Sequence, residues 1–265
     1  LAIAAGQERN LMKLLSRFLM LTICITGSGW FHGPPPLHAV GAAVDHHMFA
    51  DLLQKFVDDG VVDYRGFKKE EARLDRYLEY LAGIQPDTLN DKERFAFFAN
   101  AYNAWTLKLI LEHYPGIRSI KDAGSLWRSP WKQKIARIDG RLLTLDEIEH
   151  DILRAQFGDP RVHFAVNCAS KGCPPLWREP FSGQTLDRQL DQATRAFIND
   201  PARYRLDGNT LYVSRIFKWF AEDFNDDPIE FFQQYAENGL RKELERRAKD
   251  LRVKYLDYDW SLNGV

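Results

Sequence analysis

The stretch F-A-F-F-A-N-A-Y-N-A-W-T-L-K-L-I-L, from Phe95 to Leu111, is apolar around most of a helical circumference. It predicts one long helix, roughly Asp91 to Tyr114, stopped by Tyr114-Pro115-Gly116. A helix that is apolar on nearly every side belongs inside a fold rather than on its surface. This one is therefore expected at the centre, with the rest of the chain wrapped around it. Asn100 and Asn103 interrupt its apolar surface at a spacing that puts them on one face. A buried amide is costly without partners, so each is expected to bind neighbouring backbone or to face a site.

Moving outward, Lys134 to Leu143 predicts a hairpin turning at Asp139-Gly140. Thr144 and Glu147 form a capping box that opens a helix from Leu145 to Phe157. That helix carries Glu149, His150 and Arg154, with His150 and Arg154 adjacent at i, i+4. Next comes D-P-R-V-H-F-A-V-N-C-A-S-K-G-C-P-P-L, Asp159 to Leu176. Asp159-Pro160 is a turn signal, and Arg161 to Val166 reads as a buried strand. Asn167 to Gly172 is small and polar, so the strand ends there. Pro174 and Pro175 fix the backbone beyond Cys173. A rigid, irregular segment carrying His163, Asn167, Cys168 and Cys173 suits a nucleophilic site that needs no cofactor.

On the amino-terminal side, His46 to Val57 has helical spacing and ends at Asp58-Asp59-Gly60, with Gly60 as its cap. Val61 to Tyr64 is a short extended piece, and Phe67 to Leu81 resumes helical periodicity. Beyond Leu176, a helix is expected over Thr185 to Asn199 and a hairpin around Asp207-Gly208-Asn209. A short helix or turn at Ile216 to Phe224 and a helix from Asp227-Pro228 to Gly239 follow. An amphipathic stretch, Leu240 to Leu251, and a last strand, Val253 to Tyr258, complete the chain. No Pro/Gly/Ser-rich linker interrupts residues 44–265. One α+β domain follows, with helices around a small antiparallel sheet.

Residues 1–43 predict an upstream extension and a secretory signal peptide. Lys13 and Arg17 are its basic region, Phe18 to Ile25 its apolar run, and cleavage falls near Ala42 or Ala43. Ile23 is not the small residue that a lipid-anchoring signal places before its cysteine, so Cys24 leaves with the leader. The mature chain is expected in the periplasm or secreted, with no stretch long enough to cross a membrane. Cys168 and Cys173 are then its only cysteines, and in an oxidising compartment two cysteines are often a disulfide. A formal net charge of −1 gives no reason to expect a polyanionic partner. No basic patch interleaved with aromatics suggests nucleic-acid binding.

F-F-A-N-A-Y-N-A-W-T-L, P-W, L-D-E-I-E-H-D-I-L-R, the Asp159–Leu176 segment, I-F-K-W-F-A-E-D-F and Y-D-W-S-L-N occur in that order. This set, from about Phe95 to Asn263, resembles the bacterial domain-of-unknown-function family 547. Relatives of that family include exported bacterial proteins and the carboxy-terminal domains of plant leucine-zipper proteins. The resemblance implies a cysteine-type hydrolase of the papain or transglutaminase group, acting on a peptide-like or amide substrate without a cofactor.

Such an enzyme needs a thiolate, a base and a polar group to orient the base. His163 is the candidate base. Cys173 is the favoured nucleophile, because Pro174 would begin a helix and leave Cys173 at its positive end. Cys168 remains the alternative. Glu149 or His150 would orient the imidazole, with the carboxylate the better partner. Asn167, Asn100 or Asn103 would donate to an oxyanion. Trp127, Trp131 and Trp219 are candidates to line a cleft. His163, Cys168, Cys173 and Glu149 have the donor types zinc favours, but their spacings fit no familiar finger, and no metal is expected. The competing expectation is a non-catalytic binding module of the cell envelope, with a Cys168–Cys173 disulfide and an aromatic groove.

Overall fold

The computed structural model describes residues 43–125 and 127–264. The predicted leader up to Ala42, with Cys24, lies outside the described residues. Asn90 starts the central helix α4 (Asp91–His113), its side chain accepting the Glu93 N–H at 3.0 Å. Of the helix's 23 residues, 16 are buried, so it is enclosed on all sides as its sequence predicts.

Before it come α1 (His47–Phe56), a two-residue hairpin of β1 (Val57–Asp58) and β2 (Val61–Val62), α2 (Tyr64–Lys69) and α3 (Glu71–Ala82). Both α2 and α3 pack on α4, and α1 packs on α2 and α3. The hairpin of β3 (Ala136–Ile138) and β4 (Arg141–Leu143) turns at Asp139-Gly140. The capping box is formed: the Thr144 N–H donates to Glu147 Oε2 at 2.7 Å, and the Glu147 N–H to Thr144 Oγ1 at 3.0 Å. It leads into a π-helical stretch, Glu147–Arg154, continued by α5 (Ala155–Phe157). After α6 (Val162–Ala165) and α7 (Leu186–Ile198) come β5 (Tyr204–Asp207), β6 (Thr210–Val213), α8 (Ile216–Trp219), α9 (Pro228–Tyr235), α10 (Asn238–Arg247) and β7 (Arg252–Tyr255).

Several expectations need correction. The strands form three separate small sheets, not one antiparallel sheet. Within the largest, β5 and β6 are antiparallel, but β7 runs parallel to β6, with Val213 opposite Tyr255. Three helices intervene between β6 and β7, and a crossover of that kind permits a parallel return. Gly60 does not cap α1; it sits at φ 77° in the β1–β2 turn. The predicted 67–81 helix divides at Glu70, and α9 ends at Tyr235 instead of Gly239.

The predicted strand Arg161–Val166 is instead the single turn α6. Asp159 accepts from both the backbone and the guanidinium of Arg161, at 2.9 and 3.0 Å through Oδ1. That side chain folds the chain into a turn directly after Pro160. Residues 174–180 hold no helix, so Pro174 does not open one and Cys173 is not an N-cap.

Apolar packing forms two clusters. One gathers around α4; the other holds Phe197, Phe217, Phe224, Phe231 and Phe232. The turn α6 joins them, with Val162 and Ala165 in the first and Phe164 in the second. His163 thus sits at the seam.

The two amides of α4 hold irregular backbone. Asn100 donates to Phe181 O at 2.8 Å and accepts the Phe181 N–H at 2.9 Å. Asn103 donates to Ala165 O at 2.9 Å and accepts the Asn167 N–H at 2.8 Å. Replacing Asn103 with leucine orphans two buried backbone groups, each at roughly 1–3 kcal/mol. Urea denaturation of Asn103→Leu is therefore expected to show a large fall in midpoint; an unchanged midpoint would refute this role.

Candidate functional site

His163 is held by a residue 60 positions further along the chain. Its Nε2 lies 2.6 Å from Asp223 Oδ2, and its side chain is 1 % exposed. Its ring stacks on Phe220, with centroids 4.1 Å apart and planes 25° apart. The same carboxylate accepts two bonds from Arg154, Nε to Oδ2 at 2.6 Å and Nη2 to Oδ1 at 3.0 Å. Burial works to raise the Asp223 pKa, but the bonds from His163 and Arg154 outweigh it and hold the carboxyl below its usual range. An ionised Asp223 makes Nε2 the protonated nitrogen. Nδ1 is then the lone-pair nitrogen.

Cys168 and Cys173 form a disulfide, with Cα atoms 6.2 Å apart. The Cys173 sulfur receives two donors, the Cys168 N–H at 3.0 Å and the Tyr258 hydroxyl at 3.2 Å. Burial pushes the Tyr258 phenol up to about 12, so it remains a donor across the physiological range. Residues 256–264 clamp this loop through backbone bonds: Gly172 N to Asp259 O at 2.8 Å, Lys171 N to Ser261 O at 2.9 Å and Asn263 N to Ala169 O at 3.1 Å. Gly172 is required by close approach, since a Cβ there would lie 2.8 Å from the Tyr258 ring.

His163, Cys168 and Cys173 all line one cleft of about 230 Å³, with Tyr102, Glu149, His150, Trp131, Trp219, Tyr258 and Trp260 among the other lining residues. The sequence-predicted base and both cysteines thus share one cleft, with no hydrogen bond between His163 and either sulfur among the described residues. Glu149 shares the cleft but lies beside the Tyr102 hydroxyl, not on His163. His150 is turned to Arg154, its Nδ1 accepting at 3.2 Å, and its Nε2 is 3.6 Å from Asp146. The partner of His163 is Asp223, which the sequence reading did not single out, although it lies in the quoted I-F-K-W-F-A-E-D-F.

Asn100 and Asn103 are occupied with backbone and do not line the cleft. Asn167 is also engaged, donating to Pro174 O at 2.6 Å and accepting the Ala169 N–H at 2.8 Å. Trp131 and Trp219 line the cleft, whereas Trp127 is 95 % exposed and stands apart from it. Among the described residues, no three His, Cys, Asp or Glu side chains gather as a metal site, and no helix is long and apolar enough to cross a membrane.

These features define a mixed α+β protein whose cleft joins a His–Asp pair to a bridged pair of cysteines. Residues 86–198 match the family model described as "Protein of unknown function, DUF547". No curated protein and no solved structure matches the chain. The matched segment contains His163 and both cysteines; Asp223 and Tyr258 lie beyond it.

A carboxylate whose folded pKa is depressed stabilises the fold above its unfolded pKa of about 4, and that contribution is lost as pH falls below this. The difference in Tm between wild type and Asp223→Asn is therefore expected to be full at neutral pH and to narrow between about pH 5 and pH 2. A difference independent of pH would rule out the ionised pairing.

Proposed function

We propose that the chain is an exported cysteine-type hydrolase or acyl transferase acting on an amide or peptide bond. Cys173 is the nucleophile, His163 the base and Asp223 the orienting carboxylate. The observation that carries this reading is the His163 imidazole, anchored through Nε2 while the cleft it lines also holds both sulfurs. The order of the three groups differs from that of papain, but such constellations are recognised by geometry and role. The papain or transglutaminase architecture is part of the same proposal.

The reaction begins with reduction. Two molecules of a thiol open the Cys168–Cys173 bridge, leaving two cysteine thiols and one oxidised disulfide of the reductant. Nδ1 of His163 takes the Cys173 proton, and Asp223 stabilises the resulting imidazolium. The thiolate attacks the carbonyl carbon, the C–N bond breaks, and the imidazolium returns the proton to the leaving amine. Water, or an amine in the transferase case, then attacks the thioester and regenerates the thiol. Tyr258 and the Cys168 N–H, both donors to the Cys173 sulfur in the bridged form, are suited to steady the thiolate.

A second reading is supported by the bridge itself: a binding module whose disulfide is permanent and whose aromatic cleft holds a ligand. Alkylation separates the two. After reduction with dithiothreitol, Cys173 is expected to react with iodoacetamide at neutral pH about tenfold faster in wild type than in His163→Gln, equivalent to a thiol pKa shift of about one unit. Cleavage of peptide p-nitroanilides is expected to vanish in Cys173→Ala. Equal alkylation rates with no cleavage would leave the binding module standing.

A further inference from the structure

The cleft has an uneven chemistry. One part is a continuous aromatic wall: Trp219 is 4.8 Å from Tyr258, Tyr258 is 4.5 Å from Trp260, and Trp131 is 5.8 Å from Trp260, centroid to centroid. The charged groups lining it are Asp146 and Glu149, with no lysine or arginine among the lining residues. Asp146 has His150 within 3.6 Å. Glu149, half-buried beside the Tyr102 hydroxyl, has no ion-pair partner among the described residues. Burial pushes the Tyr102 phenol well up, and Glu149 adds to the shift, so the phenol stays neutral beside the carboxylate.

A carboxylate in a mostly apolar cleft is costly unless a cation meets it. Aromatic faces attract the same cations, and the rings here already do so from outside the cleft. Lys121 Nζ lies 3.7 Å from the Trp260 centroid, and the Arg154 guanidinium 4.8 Å from that of Phe220. Neither residue lines the cleft, so the inner faces and Glu149 remain for a cation brought by a ligand.

We infer that this cleft selects substrates carrying a primary ammonium, such as a lysine-type side chain, close to the bond that is cleaved. The ammonium sits between the Glu149 carboxylate and the aromatic wall. The inference rests on the hydrolase reading for the word substrate, but the binding it describes needs no turnover.

The test uses the protein with the Cys168–Cys173 bridge intact and follows intrinsic tryptophan fluorescence. The probes are Nα-acetyl-lysine amide and its neutral counterpart, Nα-acetyl-norleucine amide. The lysine derivative is expected to bind about tenfold more tightly, within the range that cation–π and ion-pair contacts supply. Glu149→Gln is expected to abolish that preference. Equal binding of the two probes to wild type would overturn the inference without recourse to any variant. So would a preference that survives in Glu149→Gln, or absence of binding by either. A charge preference in a protein that fails the alkylation test removes the hydrolase and keeps the ammonium site. Turnover indifferent to charge removes the ammonium site and keeps the hydrolase.

Discussion

The buried side chain of Asn103 is the constraint on which the site depends. A helix enclosed on all sides leaves little room for irregular backbone against it, because every buried N–H and C=O must be paired. Asn103 meets that demand for the chain on either side of Val166, accepting from Asn167 and donating to Ala165. Its companion Asn100 does the same for Phe181. Between these two anchorage points runs the segment that carries the cysteines. The amides therefore act in place of a sheet: they fix a loop to a helix with the hydrogen bonds a neighbouring strand would otherwise supply.

The second determinant is the seam between the two apolar clusters. His163 has one neighbour in each, Val162 and Phe164. Its carboxylate partner comes from the second cluster's side, next to Phe224, and the guanidinium that shares that carboxylate comes from the end of the π-helical stretch. Three separate segments thus converge on one anion. The ion pairs cost desolvation, but Asp223 accepts enough donors to stay ionised. Loss of any one segment's position would be felt by the imidazole.

Much of this was legible in the sequence, for identifiable reasons. The central helix, the capping box at Thr144 and the hairpins at Asp139-Gly140 and Gly208-Asn209 are set by local pattern, and each forms. The family resemblance was likewise carried by contiguous motifs and holds over residues 86–198. Residues 161–166 were misread because a short apolar run has no period that separates a strand from one helical turn; the Asp159–Arg161 contact decided the matter. The carboxylate that bonds His163 was missed for a different reason. Glu149 was close in sequence and chemically apt, whereas the approach of Asp223 depends on how the two clusters pack. The parallel pairing of β7 was hidden in the same way, since short strands do not declare their partners.

The clamp formed by residues 256–264 has a consequence for how the protein comes into being. Tyr258 and Trp260 belong to the cleft, and the backbone around them closes the cysteine loop roughly 90 positions upstream. During synthesis, the histidine and cysteines emerge long before these rings do, so a nascent chain holds the imidazole and the two sulfurs without their enclosing wall. Contacts of such sequence separation are slow to form. The cleft accordingly cannot close until residues 256–264 have been made.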